Sequence, residues 1–228
     1  MNIVIITNLS RPDLFLQTVL SLRDNAANWE SHHLTVVVDG PQRLTPVSSP
    51  ADVLIRTRDS VGASAARNIG ASSIPNYRRH DAVCFFDDDI YAVKDWDVRL
   101  WQLLRTGMIA SGHAHPFNGS EERMMADSFL FFREPLVIST VNMAMTWDAW
   151  DECGPFQEPG GSGGSEDYAL CMVAKENGYG FGVTSPECIL HTGQHSSSGK
   201  PIVGYSEVCA HNAELIEIHG LQGKVIFG

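Results

Sequence analysis

Lysine is scarce in this chain, with four residues against twelve arginines, and the 16 basic residues are outnumbered by 27 acidic ones, giving a formal net charge of -11. That balance argues against a generic electrostatic grip on nucleic acid or anionic lipid. Long apolar runs are also missing. No stretch approaches the roughly 20 residues that a membrane-spanning helix requires. The apolar Ile3-Val4-Ile5-Ile6 follows Met1-Asn2 with no basic region before it and no small-residue cleavage site after it, so it reads as a strand and not as a secretory signal. Cysteine is sparse and scattered: Cys84, Cys153, Cys171, Cys188 and Cys209 are odd in number and include no C-x-x-C. That usage fits reduced thiols and a cytoplasmic location better than a disulfide frame or a zinc site. Internal repeats and low-complexity linkers are absent too, and 228 residues suffice for one sizeable core, so one domain over 1–228 is the expectation.

What is present alternates between strand and helix patterns through the first half, the signature of an α/β protein. Residues 2–7 read as a buried strand. Ser10-Arg11-Pro12-Asp13 then offers an N-cap, an early proline and an acidic first turn for a helix ending near Asn25, with Phe15, Leu16, Val19, Leu20 and Leu22 as its apolar stripe. A strand over 34–38 stops at Asp39-Gly40-Pro41. A short strand over 53–56 precedes the small-residue segment 62–72, read as a helix lying close on the sheet, and a strand over 82–86 ends in Asp87-Asp88-Asp89. In the less regular second half, a helix is expected over 95–105 and strands over 129–132 and 136–145. A glycine-rich loop at 158–165 leads into Glu166-Asp167 and a helix running to Gly178. Short strands near 181–184 and 188–190 bring the chain to His191-Thr192-Gly193, and a polar run over 194–200 precedes a terminal helix near 203–219.

Ligands of open α/β sheets collect beyond the carboxyl ends of the strands, where Asp39 and the aspartate triplet are expected. Three successive carboxylates repel one another unless a cation compensates, and hard divalent ions such as Mn2+ or Mg2+ prefer such oxygens and share their shell with phosphates. The alternative is a solvated acidic turn. His191 follows a strand and has a glycine two residues on, which lets backbone approach a ligand; it could equally be a structural histidine. Arg56, Arg58, Arg67, Arg78 and Arg79 crowd one stretch and suit phosphate oxygens, or else balance surface carboxylates. Glu166 and Asp167 are also favourable residues for a helix's first turn. Trp147, Asp148 and Trp150 fit either a core with a cap or a platform for a sugar.

Several segments, taken in order, resemble a small GT-A glycosyltransferase of the family 2 type. They are Thr7-Asn8 with Arg11-Pro12, the VVVDGP segment at 36–41, GASAARNIG at 62–70, FFDDDI at 85–90, the glycine-rich loop into Glu166-Asp167, and His191. The likeness spans residues 2–192, and GxxxARNxG followed by a strand ending in DDD is its most specific pair. It implies a GT-A domain with a mixed, mainly parallel sheet flanked by helices, divided into a nucleotide-binding half (1–90), an acceptor and catalytic half (91–193) and a flexible segment with a C-terminal helix (194–228).

For function the resemblance implies a metal-dependent hexosyltransferase using Mn2+ or Mg2+ and a nucleotide-diphosphate sugar, UDP-linked, with a hydroxyl-bearing acceptor that is a small molecule or glycan ahead of a modified nucleic acid. The donor would meet Thr7, Asn8, Arg11, Asp39, Arg67, Asp87 and Asp88. Asp89, His191 and Asp87 would hold the metal. Asp167, with Glu166 as the alternative, would act as base in an inverting transfer. The aromatic motifs of processive members are missing. Three rivals remain: a retaining transferase, a non-catalytic sugar- or nucleotide-binding module, and a nucleotidyltransferase, which would want a basic glycine-rich loop after the first strand although no lysine precedes Lys94. The loops at 158–165 and 194–200 are expected to shield the site from water.

Overall fold

The first strand, β1 (Asn2–Thr7), sits in the middle of the parallel half of a sheet. In the computed structural model the described residues are 1–41, 51–75, 81–113, 137–158, 166–193, 213–214, 216–222 and 224, together with the backbone of 122–124 and 131–133. Helix α1 (Pro12–Asn25) connects β1 to β2 (His33–Val38), which pairs in parallel with it from Asn2↔His33 to Thr7↔Val38. β3 (Val53–Arg56) extends the sheet beyond β2, and helix α2 (Ala63–Ser72) returns the chain to β4 (Ala82–Phe86) on the other side of β1. The connection therefore reverses direction between β1 and β4, which opens a crevice beyond their carboxyl ends.

The second half adds β5 (Ile90–Ala92), α3 (Trp96–Leu104), β6 (Ile109–Ser111), β7 (Glu122–Met124), β8 (Phe131–Arg133), β9 (Asn142–Thr146), α4 (Trp147–Cys153), α5 (Glu166–Glu176), β10 (Phe181–Ser185) and β11 (Ile189–His191). The main sheet runs β3-β2-β1-β4-β9-β6-β10-β8-β7, and β11 pairs with β5 in a separate ribbon. Strand β9 runs antiparallel to β4 and β6, and β8 antiparallel to β10 and β7, while the remaining strands share one direction. The sheet is mixed and mainly parallel, as expected.

Alternation along the strands builds two cores. Ile3, Ile5, Cys84 and Phe86 face α1 and α3 with Phe15, Val19, Leu22, Trp96 and Leu100. Val4, Val83 and Phe85 face the opposite side with Trp147, Trp150, Phe156, Leu170 and Phe181. Small residues bring α2 onto the sheet as expected: a Cβ at Gly70 would collide with Val4 and stand 3.1 Å from Val37 Cγ2. Trp147 donates from Nε1 to Asn2 Oδ1 at 3.0 Å, and Trp150 packs its ring on Phe85 and Phe156. Both tryptophans belong to the core, and Thr146 caps α4 by accepting from Ala149 N.

Several boundaries differ from expectation. Arg11, not Ser10, occupies the N-cap position of α1, with Pro12 beginning the helix. Leu16 is 41% exposed, whereas Thr18 and Ser21 are buried because their hydroxyls bond the backbone of β5 at Ile90 and Ala92. The strand expected over 136–145 is confined to Asn142–Thr146, and His191 ends β11 instead of following it. The expected site loops at 159–165 and 194–200, Arg78, Arg79, residues 129–130, the start of the terminal helix over 203–212 and Cys209 lie outside the described residues. Residues 213–214 and 216–219 are helical. Among the described residues, no helix is long and apolar enough to cross a membrane.

Candidate functional site

The crevice beyond β1, β2 and β4 holds about 400 Å³ and is walled by residues from widely separated segments. Thr7, Asn8 and Arg11 come from the end of β1 and the start of α1, Asp39 from the end of β2, Arg67 from α2, Asp87 to Asp89 from the end of β4, Glu166 from α5 and His191 from β11. The sequence-derived candidates thus converge, with one exception. Asp167 does not line the cleft, whereas its neighbour Glu166 does.

The acidic triplet is partly neutralised from three sides. Arg67, with a side chain only 3% exposed, reaches Asp87 Oδ1 through Nη2 at 2.6 Å and Glu166 Oε1 through Nη1 at 3.3 Å. Arg11 reaches Asp88 Oδ1 at 3.4 Å and Asp89 Oδ2 at 2.8 Å. Thr7 donates to Asp88 Oδ2 at 2.5 Å. Burial, then the adjacent charge of Asp89, push Asp88 up to about 7 against the opposing effects of Thr7 and Arg11. For Asp89 burial also works upward, but the hydrogen bond and charge of His191, joined by Arg11, win and hold it below the usual carboxylate range. His191 is the mirror case: burial disfavours its charge, and the Asp89 carboxylate more than offsets this and raises its pKa.

His191 arrives by strand register. In the antiparallel ribbon it stands opposite Ile90, next in sequence to Asp89, and Thr192 bonds the Asp89 carbonyl through both N and Oγ1 at 2.7 Å. Its Nε2 lies 3.3 Å from Asp89 Oδ1. Adjacent ligands of an octahedral ion held at about 2.1 Å stand about 3 Å apart, and the oxygen and imidazole donors both suit Mn2+ or Mg2+. The spacing of the pair fits two adjacent ligands of a divalent ion. Asp87, the third expected ligand, has its Oδ1 engaged by Arg67 at 2.6 Å. Among the described residues, no group of three or more His, Cys, Asp and Glu side chains is assembled to hold a metal.

Asp39 fastens the turn before α2. Its Oδ1 accepts from Val61 N at 2.7 Å and Thr57 Oγ1 at 3.1 Å, and its Oδ2 from Ser60 Oγ at 2.9 Å and Gly62 N at 3.1 Å. Asn68, between Arg67 and Ile69, clamps a second segment: Nδ2 donates to Phe156 O and Oδ1 accepts from Phe156 N, each at 2.9 Å. Ser60, Gly62 and Thr140 also line the cleft, and His113, beyond the end of β6, places its ring 5.8 Å from that of His191. Ser60, Thr140 and His113 were not singled out from sequence, and Gly62 and Asn68 entered only as members of the GASAARNIG segment. For His113 the available signal was its position two residues after a strand that was itself too short to recognise.

At the start of α5, burial pushes Asp167 above the usual carboxylate value, although Tyr168 N donates to its Oδ1 at 2.7 Å. Desolvation therefore outweighs the lowering expected at a helix N-terminus.

Compared by sequence, the chain matches no protein-family profile and no curated protein. Compared by structure, it is similar to GalNAc-T7, crystallised with UDP, GalNAc and Mn2+, with a TM-score of 0.66 and 11% identity over 100% of this chain and 51% of that one. It is also similar to S. aureus TarS, with a TM-score of 0.59 and 14% identity over 99% of this chain and 40% of that one. The chain spans about half the length of the first and two fifths of the second. At these identities the likeness is one of architecture. The described sheet order, the flanking helices and the two neighbours together give this chain the GT-A fold of the glycosyltransferases.

Proposed function

We propose that this protein is a glycosyltransferase that moves a hexosyl group from a nucleotide-diphosphate sugar, UDP-linked, to an acceptor hydroxyl. The observation that carries this reading is the convergence, in one cleft at the topological switch of a GT-A sheet, of Arg11, Arg67, Asp39, the Asp87 to Asp89 triplet, Glu166 and His191. The presence of UDP and Mn2+ in the GalNAc-T7 structure supports the choice of donor and ion.

Asp39 faces the base, and Thr7 and Asn8 close the cleft beside it. Asp87 and Asp88 offer acceptor oxygens to the ribose hydroxyls, with Arg67 and Thr7 fixing their orientation. Arg11 lies within reach of the diphosphate. Asp89 and His191 would hold Mn2+ or Mg2+, and the ion when bound supplies positive charge that stabilises the departing diphosphate. Asp167 takes the proton of the acceptor hydroxyl as the oxygen attacks the anomeric carbon in line, which inverts its configuration. The raised pKa of Asp167 favours that assignment, and Glu166, which lines the cleft and is tied to Arg67, is the alternative base.

Paired variants test this directly. Asp167→Asn should keep UDP binding and lose transfer, and an NMR spectrum of the wild-type product should show the anomer opposite to the donor's. Loss of transfer in Glu166→Gln with retention in Asp167→Asn would move the base to Glu166. A product of retained configuration would end the inverting mechanism while leaving the donor contacts in place.

A further inference from the structure

The carboxylate of Asp89 is enclosed on three sides, and one of them is a cation. Oδ1 faces His191 Nε2, Oδ2 lies 2.8 Å from Arg11 Nη1, and the backbone of Gly193 passes so close that a Cβ there would collide with the same carboxylate and stand 2.9 Å from Arg11 Nη1. The Asp89 side chain is only 6% exposed. An ion held between Asp89 and His191 would meet a guanidinium already bonded to that carboxylate, and arginine cannot relieve the conflict by losing its proton.

We infer that Arg11 is a built-in competitor of the divalent ion, an internal counter-cation that sets the affinity of Asp89 for metal and withdraws when the ion enters. This rests on the reading of Asp89 and His191 as the metal-holding pair. Among the described residues of the cleft, Arg11 and Arg67 differ in their ability to do this. Arg67 is held between Asp87 and Glu166 with almost no exposure, whereas the Arg11 side chain is 26% exposed and already has Asp88 as a second, longer partner. It also projects from the N-cap residue of α1, at the rim of the cleft. Once withdrawn, its planar fork suits a diphosphate oxygen pair. Metal and nucleotide diphosphate would then bind cooperatively, because the ion releases the residue that the phosphates engage, and the phosphates stabilise the released form.

Calorimetric titration of Mn2+ without nucleotide, on wild type, Arg11→Gln and Asp89→Asn, tests the inference. Arg11→Gln should bind Mn2+ at least about tenfold tighter than wild type, since a neighbouring positive charge has been removed. Its melting temperature should also rise more at a fixed Mn2+ concentration. The tightening of Mn2+ by added UDP should shrink in this variant. Arg11→Lys keeps the charge while losing the fork, so it preserves the charge balance of the cleft and should show a smaller gain. Failure of both variants to bind Mn2+ more tightly than wild type, with wild-type binding abolished in Asp89→Asn, would overturn the role of Arg11 and leave the metal pair standing. Absence of Asp89-dependent binding in every protein would remove the metal assignment and the inference with it.

Discussion

Arg67 Nη2 lies 2.6 Å from Asp87 Oδ1, and the same guanidinium is the partner of Glu166. One buried side chain of α2 therefore ties the end of β4 to the start of α5. Its removal strands two carboxylates in a cleft already rich in negative charge. Arg67→Ala should cost about 3 kcal/mol of stability in denaturant titrations, within the range for breaking a buried pair from one side. Adding Glu166→Gln should recover part of that loss, because one of the two stranded charges is gone. Strict additivity of the two changes would show that Arg67 and Glu166 are not coupled.

Gly70 sits one turn beyond Arg67 on α2, against Val4 of β1. Gly70→Ala should force the helix off the sheet and destabilise by about 1–3 kcal/mol, as overpacking does. It should also weaken UDP binding, since Arg67 moves with the helix. Val4→Ala in the same chain should restore part of both, and an unchanged melting temperature in Gly70→Ala alone would contradict the close packing.

The carboxylates and the main strands of the cleft were legible because each aspartate follows an uninterrupted apolar run, as with Val36-Val37-Val38 before Asp39 and Phe85-Phe86 before Asp87. What brings them into register was not. His191 reaches Asp89 through a ribbon in which β5 is three residues long and starts directly after the acidic triplet, too short to leave a periodic signal. Three of the four donors that surround Asp39 come from Thr57, Ser60 and Val61, which carry no pattern of their own, only Gly62 belonging to the GASAARNIG segment, and the pairing of Arg11 with Asp89 spans most of the first half of the chain. Helix α4 was hidden for a different reason: its seven residues include two tryptophans, which composition alone leaves divided between core and sugar platform.

Away from the cleft, Asp97 accepts from Ala27 N and Asn28 N and lies 3.1 Å from His32 Nε2. Burial opposes its charge, but these contacts win and lower its pKa from 3.8 to about 2. A depressed carboxylate contributes stability that is complete above its unfolded value and disappears as pH falls through the folded one. Asp97→Asn should therefore cost about 2 kcal/mol near neutral pH, and the gap from wild type should close between 3.8 and about 2. Urea titrations at a series of pH values measure it; a gap independent of pH over that window would contradict the assignment.

The central claim is that this cleft cleaves a nucleotide-diphosphate sugar. Incubation of the protein with a panel of nucleotide sugars, with Mn2+ and after its removal by chelation, while free nucleoside diphosphate is measured, tests it most directly. The account predicts slow release of diphosphate from a UDP-linked donor even without acceptor, dependent on Mn2+ and lost in Asp89→Asn. Nucleotide binding without release from any donor would contradict it and leave a binding module with the GT-A fold.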